Sequence, residues 1–213
     1  MKHVINTAGL SRIRQRLLSP PATFVTLLLA LAVSSAMAIE PSQVPDSKRS
    51  ASGLHLTAVE AAAMKQANPA RVLLIDIRTR AEAMYVGMPT LADHLVPVLD
   101  FPEMWEWSEA QGEYLQQGNP NFVKDIEKRL QQAGLTKDDA VILICRSGVR
   151  SNSASGLLAH FGFKKAYTVV DGFEGDKADS GPDKGQRTVN GWKNAKLPWT
   201  YKLETRKMYI DPL

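Results

Sequence analysis

The side chain with the most chemistry to offer is a lone thiol, because Cys145 is the only cysteine among 213 residues. It ends an apolar run, Asp139 to Ile144, and opens the segment Cys145, Arg146, Ser147, Gly148, Val149, Arg150, Ser151. Ala154, Leu157, Leu158 and Phe161 then recur at helical spacing, stopped by Gly162. A tight loop between a buried strand and a helix turns backbone N–H groups inward as an anion-binding nest. The helix start adds the positive end of its dipole. Gly148 supplies the freedom such a turn needs, and Arg146 and Arg150 bring two full positive charges. A sulfur at the mouth of this cup is favoured as the nucleophilic thiolate. The chemistry on offer is attack by sulfur, with the resulting anion held by amides and guanidinium groups.

The competing reading of a lone cysteine is an inert, buried apolar group. Two arginines and a glycine loop around Cys145 argue against it. Asp76, Arg78 and Glu82 form a second charged cluster, read as a structural group that orders the neighbouring loop rather than as catalytic groups. His55, His94 and His160 have no ligand-like or triad-like spacing. Trp105 and Trp107 suit a recognition lip or loop packing equally. Asp176, Asp179 and Asp183 lack the ordered ligand pattern of a calcium loop and read as a solvated segment, so no metal site is expected.

The elements that must position Cys145 follow from periodicity. Thr57 and Glu60 have capping-box spacing and start a helix that should stop before Asn68 and Pro69. Arg71 to Ile77 is a continuous apolar run, expected as a strand buried on both faces. A short helix over Arg80–Tyr85 and a strand near His94–Val98 come next, followed by an irregular stretch at 99–120. Phe122, Ile126 and Leu130 line one side of a helix that begins near Asn121, with Gly134 past its end. Ala166 to Val170 completes the strands around the cysteine loop. Strands alternating with helices predict an α/β fold, a central parallel sheet with helices on both faces.

Ahead of this domain, Lys2, Arg12, Arg14 and Arg16 precede an apolar run of 12 residues, Ala22–Val33, and small residues stand at Ala36 and Ala38. This is the three-part pattern of a secretory signal peptide over 1–38, and the run is short for a membrane span. The leader's four basic residues, unopposed by any acid, account for the whole +4 of the chain. A neutral mature protein gives no reason to expect nucleic acid or anionic lipid as a partner, nor stable membrane insertion. Residues 39–53 read as a flexible tether, 54–203 as the domain and 204–213 as a tail. Export to a periplasm, or secretion where there is no outer membrane, is expected.

Cys145–Arg150 resembles the active-site loop of the rhodanese family, which opens with cysteine and closes six residues later. Asp76, Arg78 and Glu82 match the family's Asp-x-Arg-x3-Glu segment. Leu157–Gly172 resembles its helix-to-strand passage, and Gly191, Trp192, Leu197 and Pro198 resemble its closing region. The resemblance implies a parallel sheet of about five strands and a sulfurtransferase without a cofactor. It further implies that Cys145 takes sulfur from a thiosulfate-like donor as a persulfide, held by Arg146, Ser147, Gly148, Val149 and Arg150. An external thiol or cyanide, or a periplasmic protein, then removes it. Two stretches depart from the family pattern, near 99–120 and 176–190, and either could form a rim over the cup. Phosphatases and arsenate reductases of the cysteine-loop type place five residues between cysteine and arginine, whereas four separate Cys145 from Arg150. A non-catalytic binding module is the other alternative.

Overall fold

The computed structural model describes residues 39–210 except Glu103, so the expected leader lies outside the described residues. In chain order the elements are β1 (His55–Leu56), α1 (Ala58–Ala67), β2 (Val72–Asp76), α2 (Arg80–Val86), β3 (Met88–Pro89) and β4 (His94–Leu95). They continue with β5 (Leu99–Asp100), β6 (Trp107–Ser108), β7 (Glu113–Tyr114), β8 (Gln117–Gly118) and α3 (Phe122–Gln132). The last are β9 (Ala140–Ile144), α4 (Val149–His160), β10 (Lys165–Val169) and β11 (Trp199–Thr200).

The central sheet has five strands in the order β1-β10-β9-β2-β4, every pair parallel. Every residue of β2 and β9 is buried, so both faces at the centre are covered, as their unbroken apolar sequences require. α1 starts at the expected capping box, with the Thr57 amide donating to Glu60 Oε2 at 2.6 Å and the Glu60 amide returning to Thr57 Oγ1. Phe122, Ile126 and Leu130 of α3 enter the core together, as their spacing predicts.

Strand order also fixes where a site can form. β2 passes the chain to β4 on one side of it, whereas β9 passes it to β10 on the other. The carboxyl ends of β2 and β9 therefore border a crevice, the topological switch point where open α/β sheets bind ligands. The Ile77 amide donates to the Ile144 carbonyl at 2.9 Å, holding the two strand ends together at that point.

Three segments carry more structure than expected from the sequence. Residues 39–53, read as a tether, carry two single-turn helices, Pro41–Gln43 and Asp46–Lys48, and pack on the domain. Val44 is buried, Ser50 Oγ meets Ser155 Oγ of α4 at 2.6 Å, and Lys48 Nζ reaches Asp176 at 2.6 Å. The stretch at 99–120, read as irregular, is a nested antiparallel arm in which β5 pairs with β8 and β6 with β7. Its aromatic side chains brace one another, Phe101 stacking on Trp105 at 4.3 Å and Tyr114 meeting both Trp105 and Trp107 edge-on. In the expected tail, Tyr209 is buried and donates its hydroxyl to Asp125 of α3 at 2.6 Å.

Candidate active site

Cys145 follows β9 directly, and Gly148 caps α4 in the left-handed conformation, φ +95°. Between them the chain reverses so tightly that the amides at the start of α4 point back at the sulfur. The Gly148 N–H donates to Cys145 Sγ at 3.2 Å and the Ser151 N–H at 3.4 Å. No side chain caps α4, and the sulfur takes that role, meeting two of the amides that a helix start leaves unpaired. Ser151 completes the surround. Its hydroxyl accepts from the Cys145 thiol at 3.5 Å and from Thr168 Oγ1 at 2.7 Å, and lies 3.1 Å from the Gly148 carbonyl.

The loop after β10 supports this turn from behind. Phe173 N–H donates to the Cys145 carbonyl at 2.8 Å and Glu174 N–H to the Arg146 carbonyl at 3.0 Å. The approach is close enough to demand glycine on both sides. A Cβ on Gly148 would fall 2.1 Å from the Val170 carbonyl oxygen, and one on Gly172 (φ +64°) 2.6 Å from the Arg146 carbonyl and the Ser147 nitrogen.

Cys145 is only 1% exposed, yet it lies on the wall of a cavity of about 710 Å³. Arg146, Ser147, Val149 and Arg150 of the loop line that cavity as well. The arm and the late insert supply much of the rest: Phe101, Trp105, Glu113 and Gln116 from the one, and Arg187 from the other. α2 adds Glu82 and Tyr85.

The charged groups are arranged differently from the sequence expectation. Arg150 lines the cavity, but its guanidinium is committed to Glu82 through two N–H···O contacts of 2.7 and 2.5 Å. Its charge is thus paired with a carboxylate, and it is not an unpaired cation on the cavity. Burial alone would raise the Glu82 carboxyl, but the hydrogen bonds and charge of Arg150, with the Thr79 amide, outweigh it and hold it below the usual carboxylate range. Glu82 also closes a capping box with Thr79 at the start of α2, so one carboxylate fixes α2 and α4 together. Asp76 and Arg78 form a separate, fully buried pair, 2.6 Å apart. Arg78 donates also to the Gly87 carbonyl and lies 4.1 Å over the Phe173 ring, whose backbone holds the Cys145 carbonyl. The expected cluster is thus split into a buttress for the back of the loop and a clamp on its end.

Sequence reasoning missed Ser151, Thr79, Gly172, Tyr85, Phe101 and Arg187. Thr79 and Glu82 have the same capping-box spacing as Thr57 and Glu60, and Asp171–Gly172 is a turn signal, so those two were findable. Ser151 closes the segment that opens at Cys145, and Phe101 and Arg187 fall in the two stretches expected as a rim, but no local spacing assigns them, or Tyr85, a role.

Comparison with known proteins agrees with this architecture. The family model described as "Rhodanese-like domain" matches residues 57–179, more than half of the chain. The chain belongs to the rhodanese-like family. Relatives of this rhodanese-like protein include the uncharacterized protein RP600 of Rickettsia prowazekii, 31% identical over 128 residues, which are 60% of this chain and 82% of the relative. The uncharacterized protein RC0915 of Rickettsia conorii is 32% identical over 129 residues, with the same coverage. Among solved structures, the crystal structure of Rv0390 from M. tuberculosis has 32% identity and a TM-score of 0.50, over 70% of this chain and 97% of that one. The late insert beyond residue 179 and the docked tail lie outside the rhodanese-like match.

Proposed function

We propose that this protein is a sulfurtransferase that carries sulfane sulfur as a persulfide on Cys145. The observation that carries the reading is the position of Cys145, on the lining of a cavity with its Sγ faced by the Gly148 and Ser151 amides. Two amides aimed at one sulfur stabilise its anionic form, and they would do the same for a persulfide one atom longer. The family membership supports the same chemistry.

In the first half-reaction the Cys145 thiolate attacks the outer sulfur of a thiosulfate-like donor. An Sγ–S bond forms, the donor's S–S bond breaks, and its electron pair leaves on sulfite. In the second, a cyanide or external thiolate attacks the terminal sulfur, and the electron pair of the Sγ–S bond returns to Cys145. The chain has no second cysteine to resolve the persulfide, so the acceptor comes from outside. Two separate transfers through one nucleophile predict ping-pong kinetics. The cavity falls within the roughly 300–1,000 Å³ usual for small-molecule sites, and its size leaves room for an acceptor larger than an inorganic ion. Four residues between Cys145 and Arg150 keep the amides on the sulfur itself, which favours sulfur over phosphate or arsenate chemistry.

The test is a thiosulfate–cyanide assay on mature protein beside Cys145→Ser, with intact mass measured after donor alone. Wild type should gain one sulfur atom and release thiocyanate, and the variant should do neither. A folded wild type that gains no sulfur would overturn the proposal in favour of a binding module. The leader pattern supports an exported location, for which the mature chain recovered from the periplasmic fraction should begin at Ile39.

A further inference from the structure

The cation best placed to receive an anion in this cavity is not in the cysteine loop. Arg150 is occupied by Glu82, whereas Arg187, from the late insert, lines the same cavity as Cys145 and Arg146. Arg187 is fixed from three directions. Its Nη1 donates to the Gly175 carbonyl at 2.6 Å, its backbone bridges Lys177, and its carbonyl accepts from Asn194 Nδ2 at 3.1 Å. Gly175 in turn donates its amide to the Arg146 carbonyl at 3.3 Å, so the anchor of one arginine rests on the other.

Among the described residues, neither Arg146 nor Arg187 has a carboxylate within salt-bridge distance. Glu174 and Asp176 attract Arg187 from further away, and Asp176 is already engaged by Lys48 and Asn190. Burial first, and then the charge of Arg146, hold the Arg187 guanidinium below its ordinary pKa. Two guanidinium groups held on one cavity without a paired carboxylate repel each other, and an anion between them relieves that repulsion.

We propose that Arg146 and Arg187 clamp the oxyanion end of the sulfur donor, a sulfonate-type head such as that of thiosulfate, and so set its outer sulfur over Cys145 Sγ. The assignment rests on the sulfur-transfer reading and adds the residue that selects the donor. In the transfer step the electron pair of the broken S–S bond leaves on sulfite, whose growing charge lies against the two guanidinium groups. No further oxidant or reductant is required. Because Arg187 lies beyond residue 179, its share of this preference belongs to the late insert, outside the family match.

The experiment compares wild type, Arg187→Ala and Arg187→Lys as mature chains. With thiosulfate varied at fixed cyanide, Arg187→Ala should raise the thiosulfate KM about tenfold or more, and Arg187→Lys should recover part of the loss. The cyanide KM and the rate at which the uncharged reagent iodoacetamide alkylates Cys145 should stay near wild type in both, which would show the loop intact. Sulfate, at constant ionic strength, should protect Cys145 from iodoacetamide in wild type and not in Arg187→Ala. An unchanged thiosulfate KM in Arg187→Ala overturns the clamp, as does sulfate protection that is equal in the two proteins or missing from wild type. If wild type acquires no sulfur from thiosulfate, the sulfur-transfer reading fails alone, and sulfate protection still decides the clamp.

Discussion

Glu82 shows how much one side chain can carry. It caps α2 and holds Arg150, the residue that ends the cysteine loop, and both partners of this pair are mostly buried. Replacing it as Glu82→Gln removes the charge and one half of the fork while leaving Arg150 in place. The expected cost at neutral pH is about 1–3 kcal/mol, read by urea denaturation. The pH dependence has a definite sign. The folded carboxyl is held below its ordinary value of 4.5, so the unfolded chain binds the proton first. The contribution is present above pH 4.5 and is lost as pH falls through the lower folded value. Wild type and Glu82→Gln should therefore differ most near neutrality and converge in acid, and a constant gap down to about pH 3 would refute the assignment.

At the scale of elements, the site is the junction of β9 with α4, pressed against the turn that follows β10. The closeness of that contact is what aims the Gly148 amide at Cys145. Gly148→Ala is expected to destabilise by about 1–3 kcal/mol, since it combines a positive φ with a Cβ driven into the Val170 carbonyl. It should also lower sulfur loading at least tenfold where the variant remains folded, because the amide no longer faces the sulfur. Loading at the wild-type rate by a folded Gly148→Ala would show that the tight turn is not required. The aromatic arm and α2 form the opposite wall, joined by Arg80 Nε donating to Asp100 at 2.6 Å.

Across the whole molecule, both ends of the described chain are fastened to the domain. The early segment is held by Lys48 on Asp176, Asn152 on the Ser47 carbonyl and Ser50 on Ser155. The tail is held by Tyr209, whose hydroxyl donates to Asp125 and accepts from Asn119. Asp125 is fully buried and its other oxygen has no hydrogen-bond partner among the described residues. Tyr209→Phe should therefore cost about 1–3 kcal/mol, measured in urea, by leaving a buried carboxylate without its donor. A loss within error of zero would mean that the tail contributes nothing to the fold. Burial, with the Asp125 hydrogen bond, also raises the Tyr209 hydroxyl to about 12, so this contribution persists up to its ordinary 10.0 and fades only as pH rises through about 12.

What the sequence determined by itself is everything carried by near neighbours. The apolar runs Arg71 to Ile77 and Asp139 to Ile144, the Thr57–Glu60 capping box and the strand–Cys145–helix junction each depend on spacings of a few residues, and the strands Val72–Asp76 and Ala140–Ile144 lie within the two runs. What only the tertiary structure decided is which charges meet. Glu82 and Arg150 are 68 residues apart, Asp125 and Tyr209 are 84 apart, and Lys48 and Asp176 are 128 apart. No local pattern encodes such pairs, because strand order brings their segments together. The same order pairs Arg150 with Glu82 and puts Arg187 beside it on the cavity wall.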